Sequence, residues 1–297
     1  MNFDVLLQFA VSVLSLGGVY ALLALGLSTV FGLMGFLNFA HGDLMTITGY
    51  GLYYLLAAGV GFVVAGPIAV LIAALAAVLM ERLAFRPLRG RSPMTLLITS
   101  FALSLALHVC FQIFISPKSR PIPVPEFLSG YFNIGGAFVS RAQVIAIVVS
   151  VVSVVALNLF LSRSRLGVTL RAAAADFDVA RMLGVRADRV VAMAFALSGL
   201  LAGIAALVWI AQRGAVFPTM GLTPMVKALI AVIIGGLSSP RGALYGGFLL
   251  GFLEAVFLYT LPDAFVLYRD ALVLGVLIVF LVYRPNGIIA SNPEPMR

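Results

Sequence analysis

Nine apolar runs follow one another along this chain with little polar sequence between them, and that succession decides which solvent the protein can fold in. The runs cover residues 6–34, 44–60, 62–83, 94–115, 142–161, 190–211, 224–237, 243–261 and 271–283. A helix needs about 20 mainly apolar residues to cross a bilayer. Most of the runs meet that length, the first exceeds one upright span, and the seventh falls short. Hydrophobic residues make up 62% of the chain and charged residues only 10%. A soluble domain is about a quarter charged, and no soluble fold has enough interior to hide this much apolar surface. The expected fold is an all-α integral membrane protein: a polytopic bundle of about eight transmembrane helices with one or two broken or re-entrant segments. It forms a single transmembrane domain over residues 1–297.

The net charge of +8 is spread between the runs and not gathered in a patch. It therefore reports topology and contact with anionic lipid headgroups, not nucleic acid. Arg82, Arg86, Arg89 and Arg91 mark one cytoplasmic connection, and Arg163, Arg165, Arg171, Arg181, Arg186 and Arg189 mark another. Alternating from these puts residues 116–141, 212–223 and 262–270 outside, and the turn at Arg241 and the tail from Arg284 inside. The first segment carries Asp4 and no basic stretch, so the first run reads as a retained span and not as a cleaved leader. Cys110 is the only cysteine, which excludes a disulfide within the chain.

Two glycine-rich polar breaks interrupt the apolar pattern, at residues 35–43 and 235–242. Paired interruptions in two halves of a membrane protein mark a midplane pathway in transporters. Asn38, His41, Gly42, Asp43, Thr46 and Thr48 crowd the first break. Such groups are costly inside a membrane, and a solute that sheds its water needs replacement partners of this kind. Asn38, His41, Gly42, Asp43, Thr46 and Lys227 are therefore the candidate pathway residues. The competing reading is that the first-break groups satisfy one another and the opened backbone. Lys227 and Glu254 either pair or face an interface, and His108 reads as a satisfied core histidine. Gly199 with Gly203, Gly242 with Gly246 and Gly247 with Gly251 have the spacing of close helix contacts.

The longest polar stretch, 162–189, reads as a cytoplasmic segment. Helical spacing of Ala175, Val179, Met182 and Leu183 predicts a short amphipathic helix, Gly184 its stop, and Asp188 a cap for the next span. The exposed apolar face ringed by arginine suits docking to a cytoplasmic partner through Arg171, Asp176, Ala180, Leu183 and Gly184. A helix lying on the membrane surface is the alternative. Pro117 precedes Lys118 and Val226 precedes Lys227, the only lysines, so no Gly-Lys-Ser/Thr phosphate loop exists. Two histidines and one cysteine leave no multi-histidine metal site. No nucleophile elbow is present.

The segments Tyr20-Ala21-Leu22-Leu23-Ala24-Leu25-Gly26-Leu27 and Asn38-Phe39-Ala40-His41-Gly42-Asp43 resemble branched-chain amino-acid ABC transporter permeases of the LivH type. Residues 171–184 followed by Asp188-Arg189-Val190 resemble their cytoplasmic coupling segment. Residues 227–236, 242–254 and 284–288 resemble their second half and C-terminal end. The resemblance implies an importer subunit in a bacterial inner membrane, with no cofactor of its own. It also implies a second homologous permease subunit, two cytoplasmic ATPase subunits that bind ATP, and a periplasmic solute-binding protein. Leucine, isoleucine and valine lead as solutes, with urea, amides, other amino acids and aromatic acids associated with relatives. The Glu-Ala-Ala-x3-Gly coupling pattern of many such permeases is not kept: residues 171–184 have the alanines and a glycine at another spacing. A stand-alone channel or secondary transporter for a small polar solute is the alternative function. A membrane-embedded hydrolase using Asp43 or His41 is a third.

Overall fold

The computed structural model describes residues 3–134, 136–284 and 287–289. Each apolar run forms a helix, and the polar stretch forms two more. In chain order these are α1 (Phe3–Met34), α2 (His41–Ala57), α3 (Phe62–Met80), α4 (Pro93–Phe114), α5 (Arg141–Arg163), α6 (Arg165–Ala175), α7 (Phe177–Met182), α8 (Ala187–Arg213), α9 (Leu222–Gly235), α10 (Pro240–Thr260) and α11 (Arg269–Tyr283). Seven spans among the described residues are long and apolar enough to cross a membrane. α2 with 17 residues and α9 with 14 fall short of that length, and the 15-residue α11 reaches it only with the 3₁₀ turn before it.

The first run is one unbroken helix of 32 residues, about 48 Å long at 1.5 Å per residue. It is the axis of the bundle, packed by α5, α8, α9 and α10. Tyr20, Ala21, Leu22, Leu23 and Ala24 are all buried. Small residues bring the backbones together, because in lipid helix association depends on close packing and not on hydrophobic expulsion. Gly247 of α10 rests on Ala21, and Gly251 rests on Gly17. Gly199 and Gly203 of α8 lie against Ala74 and Val70 of α3, and Gly242 and Gly246 lie against α9. All three Gly-x3-Gly pairs are thus helix contacts. Apolar stripes such as Val63, Leu71, Leu75 and Leu79 on α3, and Ile98, Phe101, Leu105 and Val109 on α4, point outward, as bilayer-facing surfaces do.

At one end of the bundle Arg86 and Arg89, from the turns after α3, both pair with Asp188, and Arg89 also pairs with buried Glu81. Asp188 is therefore not the helix cap that its position suggested: α8 starts at Ala187 without a side-chain cap. The carboxylate instead ties two basic connections together, so both lie at the same end, as the arginine pattern requires. At the far end, short strands break the otherwise helical pattern. β1 (Arg120–Pro121) pairs antiparallel with β4 (Ala215–Val216), and β2 (Tyr131–Ile134) forms a hairpin with β3 (Ala137–Ser140). The connections around 116–141 and 212–221 therefore share that end.

Candidate functional site

The first break begins where Gly35 takes a left-handed backbone (φ 67°) directly after α1, a conformation that costs glycine little. The chain then turns back inward. The Ser100 hydroxyl of α4 accepts the Phe39 N–H at 3.1 Å and donates to the Leu37 carbonyl at 3.2 Å. The Asn38 side chain accepts the Ala40 N–H at 3.1 Å. Asn38 thus closes its own turn, which satisfies backbone that lipid would leave unpaired.

α2 then begins deep within the bundle. His41 is buried, with its Nδ1 2.9 Å from the hydroxyl of Ser198, near the middle of the 27-residue α8. Gly26 of α1 faces the imidazole so closely that a Cβ there would lie 2.7 Å from His41 Cε1. Two residues on, buried Asp43 Oδ1 lies 2.8 Å from His108 Nε2 of α4. His108 is thus held by a carboxyl partner at hydrogen-bond distance that sequence alone did not reveal.

The partner of this break is not the Gly235–Gly242 stretch. That stretch is the tight turn between α9 and α10, where the Ser28 hydroxyl donates to the Leu237 carbonyl at 3.2 Å. The entry to α9 meets α2 instead. From Gly214 the chain descends along α2, with Val216 and Met220 against Gly49 and Gly221 against Gly42. A Cβ on Gly221 would collide with the Gly42 carbonyl, and one on Gly42 would lie 2.6 Å from the Gly221 carbonyl. The Thr46 hydroxyl accepts the Gly221 N–H at 3.3 Å. Two short helices therefore start nose to nose inside the bundle. His41, Gly42, Asp43 and Thr46 are all buried around the junction.

Lys227 sits one turn and a half into α9 and is also buried. Its ammonium pairs with Glu254 of α10 and lies 3.1 Å from Asp270 of α11. The Tyr20 hydroxyl of α1 donates to the other Glu254 oxygen at 2.7 Å. The question left open by the sequence is answered: Lys227 and Glu254 pair, and their network joins four helices.

The polar segment folds into two short helices, with Val179 and Met182 on α7 and Leu183 ending it, while Ala175 belongs to the end of α6. Ser164 caps α6, and Asp176 caps α7 by accepting the Val179 N–H at 2.9 Å. Gly184 closes the hairpin in a left-handed turn (φ 85°). Ala180 is buried, with Leu170, Ala173, Val190 and Ala194, and fixes the hairpin on α8. Leu183 and Met182 project outward, 79% and 87% exposed. Arg171 lines a cavity of about 420 Å³ shared with Ser28, Asn158, Ser239 and Arg241, which places α6 beside the α9–α10 turn. Of the C-terminal stretch resembling the permeases, Pro285 and Asn286 lie outside the described residues. Gly287 packs against the Ile234 carbonyl, and the Ile288 N–H bonds to it at 2.7 Å.

A polytopic bundle with two discontinuous helices meeting in its interior, and a folded hairpin at its basic end, defines a multi-pass membrane permease. The family model for the permease component of branched-chain amino acid transport systems matches residues 9–282, and the chain belongs to that family. It is 34% identical to the high-affinity branched-chain amino acid transport system permease protein BraD of Pseudomonas aeruginosa, over 97% of this chain and 96% of that one. It is 31% identical to LivH of Escherichia coli and 32% identical to LivH of Salmonella typhimurium, each over 94% of both chains.

Proposed function

We propose that this chain is the permease subunit of an ABC importer in a bacterial inner membrane, carrying branched-chain or related small amino acids. In this reading it forms the path together with a second homologous permease. Two cytoplasmic ATPase subunits bind and hydrolyse ATP, and a periplasmic binding protein delivers the solute. The observation that carries the reading is the end-to-end likeness to permeases of such systems, joined to a hairpin at the basic end that leaves Met182 and Leu183 uncovered.

Asn38, His41, Gly42, Asp43 and Thr46 line the path when the α2 and α9 starts part. The junction suits this role because it is held mainly by glycine contacts and single hydrogen bonds, which a few ångströms of separation would break. Lys227 anchors α9 to its neighbours during the movement. Force enters at Arg171, Asp176, Ala180, Leu183 and Gly184 and reaches the α9–α10 turn through α6. The ATPase pair shifts the equilibrium only if it binds the two states differently.

Co-purification tests this directly. The tagged chain is expected to bring with it a second permease and phosphate-loop ATPases. Recovery of this chain alone, still moving solute into liposomes without ATP, would instead establish a stand-alone channel or secondary transporter.

A further inference from the structure

The end of α9 is closed by a stretch of chain that follows the last membrane helix. The final four carbonyls of a helix have no partner within it, and α9 ends on the buried residues Ile234 and Gly235. Buried carbonyls of this kind need donors from elsewhere. These two find them about 50 positions further along the chain. The Ile288 N–H donates to the Ile234 carbonyl at 2.7 Å, and the Ile289 N–H donates to the Gly235 carbonyl at 3.3 Å. Both sides of the contact need glycine. Gly287 is buried with a left-handed backbone (φ 72°), and a Cβ there would run into the Ile234 carbonyl. Gly236, opposite it in the turn (φ 113°), would place a Cβ 2.6 Å from the Ile289 carbonyl. The turn and residues 287–289 are therefore fitted to each other and not merely adjacent.

The same turn stands on the route by which force is proposed to enter. Ser238 and Ser239 line the cavity that Arg171 of α6 also lines, and the Ser28 hydroxyl of α1 holds the Leu237 carbonyl. From the turn, α9 runs back over 14 residues, about 21 Å at 1.5 Å per residue. It ends at the contact of Gly221 with Gly42. A single helix of this length is stiff, so a displacement of its cytoplasmic end is delivered at the junction. α11 braces it from the side. Among its described residues α11 buries only Val273 and Leu277, yet both of its ends reach α9. Asp270 lies 3.1 Å from the Lys227 ammonium, and residues 287–289 lead from the last turn of α11 onto Ile234 and Gly235.

We infer that residues 287–289 are a clamp on α9. In the ATP-driven importer proposed above they act as positioning residues. They fasten the cytoplasmic end of α9 to α11, so that movement received at the α9–α10 turn reaches the α2–α9 junction instead of being lost at a loose helix end.

Proteoliposomes holding the whole complex, with ATP hydrolysis and leucine uptake measured together, test the inference. Ile288→Pro removes the N–H that serves Ile234, and Gly287→Val drives a side chain against that carbonyl. Each should lower the leucine taken up per ATP hydrolysed about tenfold, the effect of one buried carbonyl left without its donor. ATP hydrolysis and the amount of ATPase bound should stay near the parent level. Ile288→Val keeps the N–H and should keep the parent ratio. A purely structural role would instead lower hydrolysis, bound ATPase and uptake in step. Gel filtration checks folding, and ending the chain after Arg284, which leaves α11 whole, decides if either substitution misfolds. A parent ratio in folded Ile288→Pro and Gly287→Val, hydrolysis and uptake falling in step, or failure of every one of these tail variants to fold would each overturn the clamp's role in coupling. A parent complex without ATP-driven uptake would overturn it together with the proposed function.

Discussion

Lys227→Met is expected to destabilise the protein by about 3–5 kcal/mol, the usual cost of removing one partner from a buried ion pair. Glu254 is buried, and its two oxygens are served by Lys227 and by Tyr20. Without the ammonium, a carboxylate remains in a low-dielectric interior with one neutral donor. Asp270 is half exposed and can turn to water, so the loss falls on Glu254. The double variant Lys227→Met/Glu254→Leu should recover most of the stability, because an apolar pair of similar volume is often as stable as the ion pair it replaces. Thermal unfolding in detergent, followed by gel filtration, reads the difference. A single variant as stable as the parent would show that the network does not hold α9 in place.

The second large effect lies at the basic end. Met182→Asp combined with Leu183→Asp should abolish ATP-driven uptake while leaving the chain folded. Both side chains are among the most exposed in the molecule, so charging them costs the isolated subunit little. At an interface, buried anchors of this kind cost about 2 kcal/mol or more each when lost. Two together amount to roughly a thousandfold in affinity for the ATPase. Asp176→Ala should be milder, since a lost helix cap costs about 1 kcal/mol. Gly184→Trp should uncouple more strongly, because it places a bulky side chain in a left-handed turn. Ala180→Asp should unfold the hairpin, since Ala180 is its buried contact with α8. Binding of purified ATPase to the detergent-solubilised variants separates these cases. Undiminished binding by Met182→Asp/Leu183→Asp would remove the hairpin from the coupling path.

The helices were legible because the bilayer leaves a chain few choices: an apolar run must close its own backbone hydrogen bonds, and only a helix does so alone. Residues 94–115 against Pro93–Phe114, and 243–261 against Pro240–Thr260, differ by no more than three residues. The hairpin was legible for another reason. Asp176, Gly184 and the spacing of Val179, Met182 and Leu183 are local signals, and local signals survive without tertiary knowledge. What sequence hid were contacts between distant residues. Nothing near Gly221 announces that it touches Gly42, since a single glycine beside a loop has many ordinary uses. His108 could be read as a satisfied core histidine, but what satisfies it could not be named because Asp43 is 65 positions away along the chain. Asp188 was misassigned because an acid at a helix start fits a cap equally well, and only the position of Arg86 and Arg89 selects the ion pair. The similarity of the two glycine-rich breaks was compositional. One is an entry into the bundle interior and the other is a tight turn.

The central claim is that this permease moves solute only when an ATPase drives it. Proteoliposomes containing the chain, the second permease, the ATPases and the binding protein should accumulate labelled leucine, isoleucine or valine only with ATP and binding protein present. Met182→Asp/Leu183→Asp should abolish that accumulation. Equal solute entry without ATP, or unimpaired uptake by that variant, would contradict the account.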